Sequence, residues 1–209
     1  MLSLQTILPD TLELLKRLMS IPEFNNLRLV GGTALALQYG HRSSIDLDMF
    51  GDLQADTSIV TEALSGFDNI VQGPCSEKVK TYRIDGVKVD FVNYSRYQWI
   101  DQCVIEDGIR LASPPDIAAM KINAIEGRGS RKDFVDMYFL LEHYSLSDII
   151  SFYKQKYPEH SEYRAMMSLS YFEDAELQPM PKMFKDVSWP EIKRRIFKEV
   201  EDYNRLQTS

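Results

Sequence analysis

Apolar positions follow two different periods along the chain, and the change between them divides it into two parts. Before residue 112, apolar and polar residues alternate in short runs such as "LRLV" (27–30) and "IDLDMF" (45–50), which predicts strands. After Pro114, apolar residues recur every three or four positions, which predicts helices. We therefore expect a mixed α/β domain over residues 1–112 and a helical domain, a bundle, over residues 113–209.

Two hairpins are predicted within the first part. Residues 78–94, "KVKTYRIDGVKVDFVNY", alternate on both sides of Asp85-Gly86, a dipeptide typical of tight hairpin turns. A second Asp-Gly turn lies within "CVIEDGIRLAS". The strands of this domain should therefore include antiparallel pairs.

Helix start and stop signals predict the remaining elements. Residues 11–19 form one amphipathic helix, and the segment that follows Gly32 forms a short helix ended by Gly40. Ser113 caps a helix that carries Pro114 and Pro115 in its first turn, where a missing N–H does no harm. Further helices are predicted at "TSIVTEAL", "RKDFVDMYFLLEHY", "LSDIISFYKQKY", "SEYRAMMSLSYF" and "WPEIKRRIFKEVEDYN".

Three aspartates interrupt the apolar pattern of the predicted strands. Asp46 and Asp48 alternate with apolar residues, so both carboxylates point away from the core. Asp90 has the same alternation on the return strand of the first hairpin, and an adjacent antiparallel strand would bring it beside them. Carboxylates this close repel one another unless a cation lies between them, and Mg²⁺ prefers such ligands. The alternative is a solvated face without a ligand.

Gly31-Gly32 lies between a predicted strand and a predicted helix. Such a turn exposes backbone N–H groups at the positive end of the helix dipole, where a phosphate group can approach closely. A plain turn is the alternative. A glycine turn followed by Asp46-x-Asp48 and a third aspartate is more specific than any of its parts, because together they supply a phosphate site and a two-metal site.

Composition narrows the class of protein. The chain carries 24 basic and 31 acidic residues, a net charge of −7, which argues against an extended contact with duplex DNA. No apolar run is long enough to span a bilayer, and the first residues do not resemble a signal peptide. The two cysteines, Cys75 and Cys103, are far apart in the sequence and lack the spacing of a metal site, which agrees with a reducing compartment. We therefore expect a cytoplasmic protein that does not contact membranes.

The stretches "GGTALALQYGHRSSIDLDMF" and "AMKINAIEGRGSRKDFVDMYFLL" resemble a known group. They are similar to the polymerase-β-type nucleotidyltransferase superfamily, in the branch of the AbiEii/AbiGii-type toxins of abortive-infection and toxin–antitoxin systems. The resemblance implies an α/β (α+β) fold in which a minimal nucleotidyltransferase mixed sheet with flanking helices precedes a C-terminal helical bundle. It also implies an enzyme that transfers a nucleoside monophosphate from an NTP, ATP among them, with two Mg²⁺ ions or with Mn²⁺.

The resemblance also implies roles for particular residues. The nucleotide would be bound by Gly31, Gly32, Thr33, Arg42, Lys121 and Lys132. The metal ions would be held by Asp46, Asp48 and Asp90. These three acids would form the catalytic set together with Lys121 and Asp136, with Asp90 as the base for the incoming hydroxyl.

Each of these assignments has a structural alternative. For Lys121 the alternative is a lysine that lies on the solvent-exposed side of its helix. For Arg42 the alternatives are a contact with phosphate and a contact with one of the acids. Asp133 fits the acidic motif as well as Asp136 does, although a place in the first turn of a helix explains it equally. His41 is expected to be structural, and the aromatic residues between 138 and 153 are expected to form bundle core.

The acceptor is expected to be the hydroxyl of a tRNA end or of a protein, and the biological role that of a toxin neutralised by an antitoxin. Two rivals remain on the sequence alone. A compact acidic chain also suits a nucleotidyltransferase that modifies a small cationic molecule, as antibiotic-modifying enzymes do. A non-catalytic nucleotide-binding module is the other rival.

Overall fold

The computed structural model describes residues 1–207, which form two compact units. The first consists of residues 1–98 and 102–112, and the second of residues 99–101 and the chain from Ser113 onward. Residues 99–101 therefore belong with the helices, although the sequence pattern assigns them to the first domain. Between residues 1 and 207, every helix is too short or too polar to cross a membrane.

The first unit alternates helices with strands of one sheet. Its elements are α1 (Pro9–Met19), β1 (Leu27–Val30), α2 (Gly31–Tyr39), β2 (Leu47–Gly51), α3 (Thr57–Ala63), β3 (Ile70–Cys75), β4 (Val79–Ile84), β5 (Val87–Asn93), β6 (Val104–Glu106) and β7 (Ile109–Leu111). The second unit is helical. Its elements are α4 (Pro114–Gly127), α5 (Arg131–Leu140), α6 (Leu146–Lys156), α7 (Glu162–Leu169), α8 (Glu173–Glu176) and α9 (Trp189–Gln207).

The sheet is mixed, with strand order β3-β4-β5-β2-β1-β7-β6. Strand β2 lies between β1, to which it is antiparallel, and β5, to which it is parallel. The prediction of an antiparallel strand beside the acids was therefore wrong in direction. The reason is topological: the chain leaves β2 through α3, β3 and β4 and returns in β5 along the same direction.

Both predicted hairpins are confirmed. Asp85 and Gly86 have φ angles of 50° and 83°, and Asp107 and Gly108 have angles of 52° and 76°. Two successive positive φ values are those of a type I′ turn, whose twist matches that of the flanking strands. The Asp-Gly dipeptides therefore set the register of β4 against β5 and of β6 against β7.

Strand β3 is an element that the sequence pattern did not predict. It is an edge strand containing Gly73 and Pro74, and its register against β4 shifts between Gln72 and Cys75. Proline and glycine are tolerated at edges and bulges, where ladder hydrogen bonds are already interrupted. The apolar alternation that reveals a half-buried strand is therefore missing here.

Burial alternates along the two central strands. Leu47 and Met49 of β2, and Val89 and Phe91 of β5, are fully buried in the core. Because successive side chains of a strand point to opposite faces, the residues between them turn to the other face of the sheet. The buried residues of β2 and β5 thereby place Asp48 and Asp90 on one common face.

Arg110 of β7 holds the chain that leads into β1. Its guanidinium donates hydrogen bonds of 3.0 Å to the carbonyl oxygens of Met19, Phe24 and Leu27. Burial lowers the pKa of this guanidinium. Three carbonyl acceptors satisfy a partly buried cation and fix the start of β1, the strand that ends at the glycine turn.

Asp116, in the first turn of α4, organises the second unit. Its buried carboxylate accepts hydrogen bonds from the backbone N–H groups of Ile100 (2.9 Å) and Asp101 (3.2 Å), and it pairs with buried Lys156 at 2.7 Å. The ammonium of Lys156 also lies 4.4 Å from the centre of the Trp99 ring. One carboxylate therefore joins residues 99–101 to α4 and α6.

Candidate active site

The acids of the first unit meet across two neighbouring strands. Asp48 and Asp90 are direct partners in the parallel register of β2 and β5. Asp46 lies two residues before Asp48, just outside the first residue of β2. All three side chains are half-buried, so they are open to solvent on one side. We call Asp46, Asp48 and Asp90 the carboxylate cluster.

The glycine turn lies against this cluster. Gly31 follows β1 directly and has a φ of +68°, a conformation that side chains rarely adopt. A Cβ atom on Gly31 would lie only 2.6 Å from Oδ2 of Asp48. A Cβ atom on Gly32 would collide with Nη2 of Arg42. Both glycines are therefore needed to bring the start of α2 close to Asp48 and Arg42.

Two predicted nucleotide-binding residues also shape the segment that carries the acids. The buried Thr33 hydroxyl donates to the carbonyl oxygen of Asp46 at 2.5 Å and lies 2.8 Å from Oγ of Ser44. The guanidinium of buried Arg42 donates to the carbonyl oxygen of Ser43 at 2.9 Å. Both side chains thus fix the loop between α2 and β2, and their contact with a nucleotide stays a prediction.

A lysine that the sequence analysis did not single out binds the cluster. Lys88 of β5 places its Nζ 2.5 Å from Oδ2 of Asp90, while the Thr81 hydroxyl donates to Oδ1 of Asp90 at 2.7 Å. Lys88 precedes Asp90 by the same two residues by which Asp46 precedes Asp48, so it lies on the face of the acids. This two-residue spacing is the feature of the sequence from which a lysine beside the acids can be predicted.

The electrostatics agree with this placement. Burial alone would lower the pKa of the Lys88 ammonium, but the hydrogen bond to Asp90 and the negative charges of Asp90, Asp48 and Asp46 raise it above its usual value. Lys88 therefore remains charged at neutral pH. Its contact with Asp90 shows that this group of acids attracts a cation.

Two members of the cluster, Asp48 and Asp90, fit a magnesium ion that also binds a nucleotide. Within residues 1–207, no three His, Cys, Asp or Glu side chains stand close enough together to hold one metal ion. Mg²⁺ usually takes one or two protein carboxylates and completes its octahedron with substrate phosphates and water. Asp48 and Asp90, opposite each other and next to the glycine turn, supply that number of oxygen ligands.

The second unit holds the predicted Lys121 and Asp136 in a different setting. Nζ of Lys121 lies 2.5 Å from Oδ2 of Asp136 and 3.0 Å from Oδ1 of Asp133, and all three residues are buried. Lys121 is therefore not a solvated lysine. Its ion pairs join α4 to α5, and a further contact of Lys121 with a nucleotide stays a prediction.

The carboxylate of Asp133 accepts hydrogen bonds from several residues. Besides Lys121, Arg128 donates to both of its oxygens, at 2.9 and 3.1 Å, and the Ser130 hydroxyl donates to Oδ2. Burial would raise the pKa of this carboxyl, but the charges of Lys121 and Arg128 hold it well below its usual range. Lys132, the neighbouring predicted nucleotide ligand, is exposed in the first turn of α5.

Comparison with known proteins shows the same architecture elsewhere. A protein of Aquifex aeolicus, uncharacterized protein aq_aa25, is 31% identical over 199 residues, which cover 91% of this chain and 94% of the relative. The crystal structure of a candidate nucleotidyltransferase from H. pylori superposes with a TM-score of 0.60 at 19% identity, covering 94% of this chain and 95% of the other. MenT4, a nucleotidyltransferase toxin from Mycobacterium tuberculosis, superposes with a TM-score of 0.55 at 13% identity, covering 91% and 81%.

The family model described as "Nucleotidyl transferase AbiEii toxin, Type IV TA system" matches residues 13–208. The match includes the glycine turn, the carboxylate cluster and the Lys121 ion pairs. The mixed sheet with flanking helices agrees with the fold of the two superposed structures. The chain belongs to the AbiEii family of nucleotidyltransferases, toxins of type IV toxin–antitoxin systems.

Proposed function

We propose that this nucleotidyltransferase depends on Mg²⁺ and transfers a nucleoside monophosphate from an NTP to the hydroxyl of a tRNA end or a protein. The observation that supports the proposal is the pairing of Asp48 with Asp90 beside the glycine turn. This arrangement combines oxygen ligands for a divalent cation with backbone N–H groups for phosphate.

In the proposed reaction the acceptor oxygen forms a bond to the α-phosphorus of the NTP. The bond from that phosphorus to the oxygen bridging the α- and β-phosphates breaks, and pyrophosphate leaves with its electron pair. When bound, Mg²⁺ would neutralise phosphate charge and polarise the reacting oxygens. Asp90 takes the proton of the hydroxyl, and its carboxylate is oriented for this by Thr81.

The chain's own contribution is position and charge. Gly31 and Gly32 at the start of α2 bind the triphosphate through their N–H groups, at the positive end of the helix. Arg42, which lies against Gly32, adds a cation at that end. Thr33 holds the loop that carries Asp46. Rigid placement of these groups is the main source of rate in phosphoryl transfer.

We further propose that the protein acts as the toxin of a toxin–antitoxin pair. The support is the family, which is described by that system. Production of the active protein should then arrest growth of its host, and the D48N variant should not. Co-expression of a neighbouring gene that encodes the antitoxin should restore growth. Equal arrest by the D48N variant would contradict a toxicity that depends on nucleotide transfer.

The biochemical test uses each α-labelled NTP with Mg²⁺ and either total tRNA or a cell extract. Label on RNA or on protein supports the proposal and identifies the acceptor, whereas label only on a small molecule contradicts it. The D48N and D90N variants should lose transfer. Asp52→Asn is the matched control, because this exposed acid lies one residue past β2 and outside the cluster. Loss of transfer in all three variants would argue against a specific role of the cluster.

A further inference from the structure

The ion pair between Lys88 and Asp90 occupies an oxygen that a metal ion at this site would use. Thr81 holds Oδ1 of Asp90 at 2.7 Å, which leaves Oδ2 for a cation, and Nζ of Lys88 lies 2.5 Å from it. Neither contact is sealed from water, since the side chains of Lys88 and Asp90 are 43% and 16% exposed. A divalent cation that binds Asp90 through Oδ2 must therefore compete with the ammonium.

We propose that Lys88 is the resident counter-ion of the carboxylate cluster, which a divalent cation displaces on binding, and that Lys88 thereby sets the metal affinity of the site. This inference rests on the proposed metal site at Asp48 and Asp90. Lys88 belongs to none of the motifs that mark the family resemblance, and the assignment comes from its contact with Asp90.

The geometry explains why a lysine suits this role. Ammonium is a compact point charge on a flexible stem, so it can leave without moving the backbone of β5. A carboxylate cluster without a cation is self-repelling, and Lys88 reduces this repulsion in the metal-free protein. An exposed ion pair is weak in water, so a divalent ion together with a triphosphate can replace it.

The competition should be visible without any substrate turnover. Binding of Mn²⁺ to the full-length protein, measured by the electron paramagnetic resonance signal of free Mn²⁺ in the absence of nucleotide, reports the site directly. Lys88→Met removes the charge and keeps an apolar stem, and we expect it to bind Mn²⁺ about five- to tenfold more tightly than the wild type. Lys88→Gln keeps a hydrogen-bond donor without charge and should lie between the two.

Arg83→Met is the matched control for the loss of a positive charge. Arg83 is the cross-strand partner of Lys88 on β4, and its guanidinium donates to the carbonyl oxygen of Gly86. If the effect of K88M were a general electrostatic one, R83M would share it. We expect a change of about twofold or less for R83M, because this exposed guanidinium is held at the carbonyl oxygen of Gly86 and not at Asp90.

A second readout is thermal stability. Without divalent ions, K88M should melt below the wild type, and Mn²⁺ should raise its melting temperature more than that of the wild type. If K88M does not fold, the same two measurements on K88Q decide the question.

Mn²⁺ binding by the variants that is no tighter than by the wild type would overturn the role of Lys88 and leave the metal site standing. Failure of the wild type and of all variants to bind Mn²⁺, both alone and with a non-hydrolysable NTP analogue, would overturn the metal site itself, as would undiminished binding by D48N.

Discussion

Each of the two units contains a lysine paired with aspartate, with one partner in the first unit and two in the second, and the two groups differ in their exposure to water. In the first unit, the Lys88 and Asp90 side chains are 43% and 16% exposed. In the second unit, Lys121 is 4% exposed and its partners Asp133 and Asp136 are fully buried.

The difference in exposure changes what each ion pair can do. Breaking a buried pair leaves an uncompensated charge in a low dielectric, so the Lys121 pairs are permanent parts of the fold. An exposed pair contributes little and exchanges easily with other ions, so the Lys88 pair can give way to a ligand. On the proposed function, similar residues therefore serve ion binding in one unit and stability in the other.

The largest expected effect separates these two roles. We expect Asp48→Asn to lower nucleotide transfer about 10³-fold, since it removes a charged ligand of the proposed metal site. The melting temperature should change little, because Asn keeps the size of the side chain and the change removes one of three charges that repel one another. Transfer rate and thermal melting of the same preparation measure both, and a large loss of stability would show that Asp48 is structural.

The corresponding change in the second unit should act on stability. Lys121→Met leaves two buried carboxylates without their ammonium, so we expect the free energy of unfolding to fall by about 3–5 kcal/mol. Urea denaturation measures this change. Lys132→Met is the control, because Lys132 is exposed although it is the neighbour of Asp133 in the chain. If both variants keep wild-type stability, the Lys121 pairs do not support the fold.

A smaller effect tests the turn that accompanies the carboxylate cluster. Gly31→Ala adds a Cβ at a φ of +68° and 2.6 Å from Oδ2 of Asp48, so we expect a loss of about 1–2 kcal/mol. Gly66→Ala is the matched change, since a Cβ there meets nothing within 4 Å. Chemical denaturation of both should show a loss only for G31A. Equal losses would mean that the close approach to Asp48 is unimportant.

The last expected effect is a dependence of stability on acid, which appears only below pH 4. The folded protein holds the pKa of Asp133 well below the ordinary value of 3.8, so the unfolded chain binds this proton first as the pH falls. The stabilisation is present above pH 4 and is lost on acidification, by up to about 1.4 kcal/mol per pH unit.

The direction of this change of stability with pH can be checked by mutating a partner of Asp133. Arg128→Met removes one of the cations that lower the pKa of this carboxyl, so the variant should lose less stability than the wild type between pH 4 and pH 2. Urea denaturation at pH 4, 3 and 2 gives the two slopes. If the free energy of unfolding of R128M fell more steeply with pH than that of the wild type, the expected contribution of Asp133 would be contradicted.

Much of the fold could be predicted from local patterns. The Asp85-Gly86 and Asp107-Gly108 turns adopt positive φ angles as such dipeptides do, and Ser113 caps α4 ahead of two prolines. The alternation of buried residues also placed Asp48 and Asp90 on the polar side of their strands. These features depend on neighbours in the chain, so the sequence alone determines them.

Only the tertiary structure decided which groups meet. The parallel pairing of β2 with β5, the addition of residues 99–101 to the helical unit and the unpatterned edge strand β3 all depend on contacts distant in sequence. The same is true of the charges. The sequence showed a lysine at 88 and another at 121, but the position of the carboxylates and the access of water determine which pair is exchangeable and which is fixed.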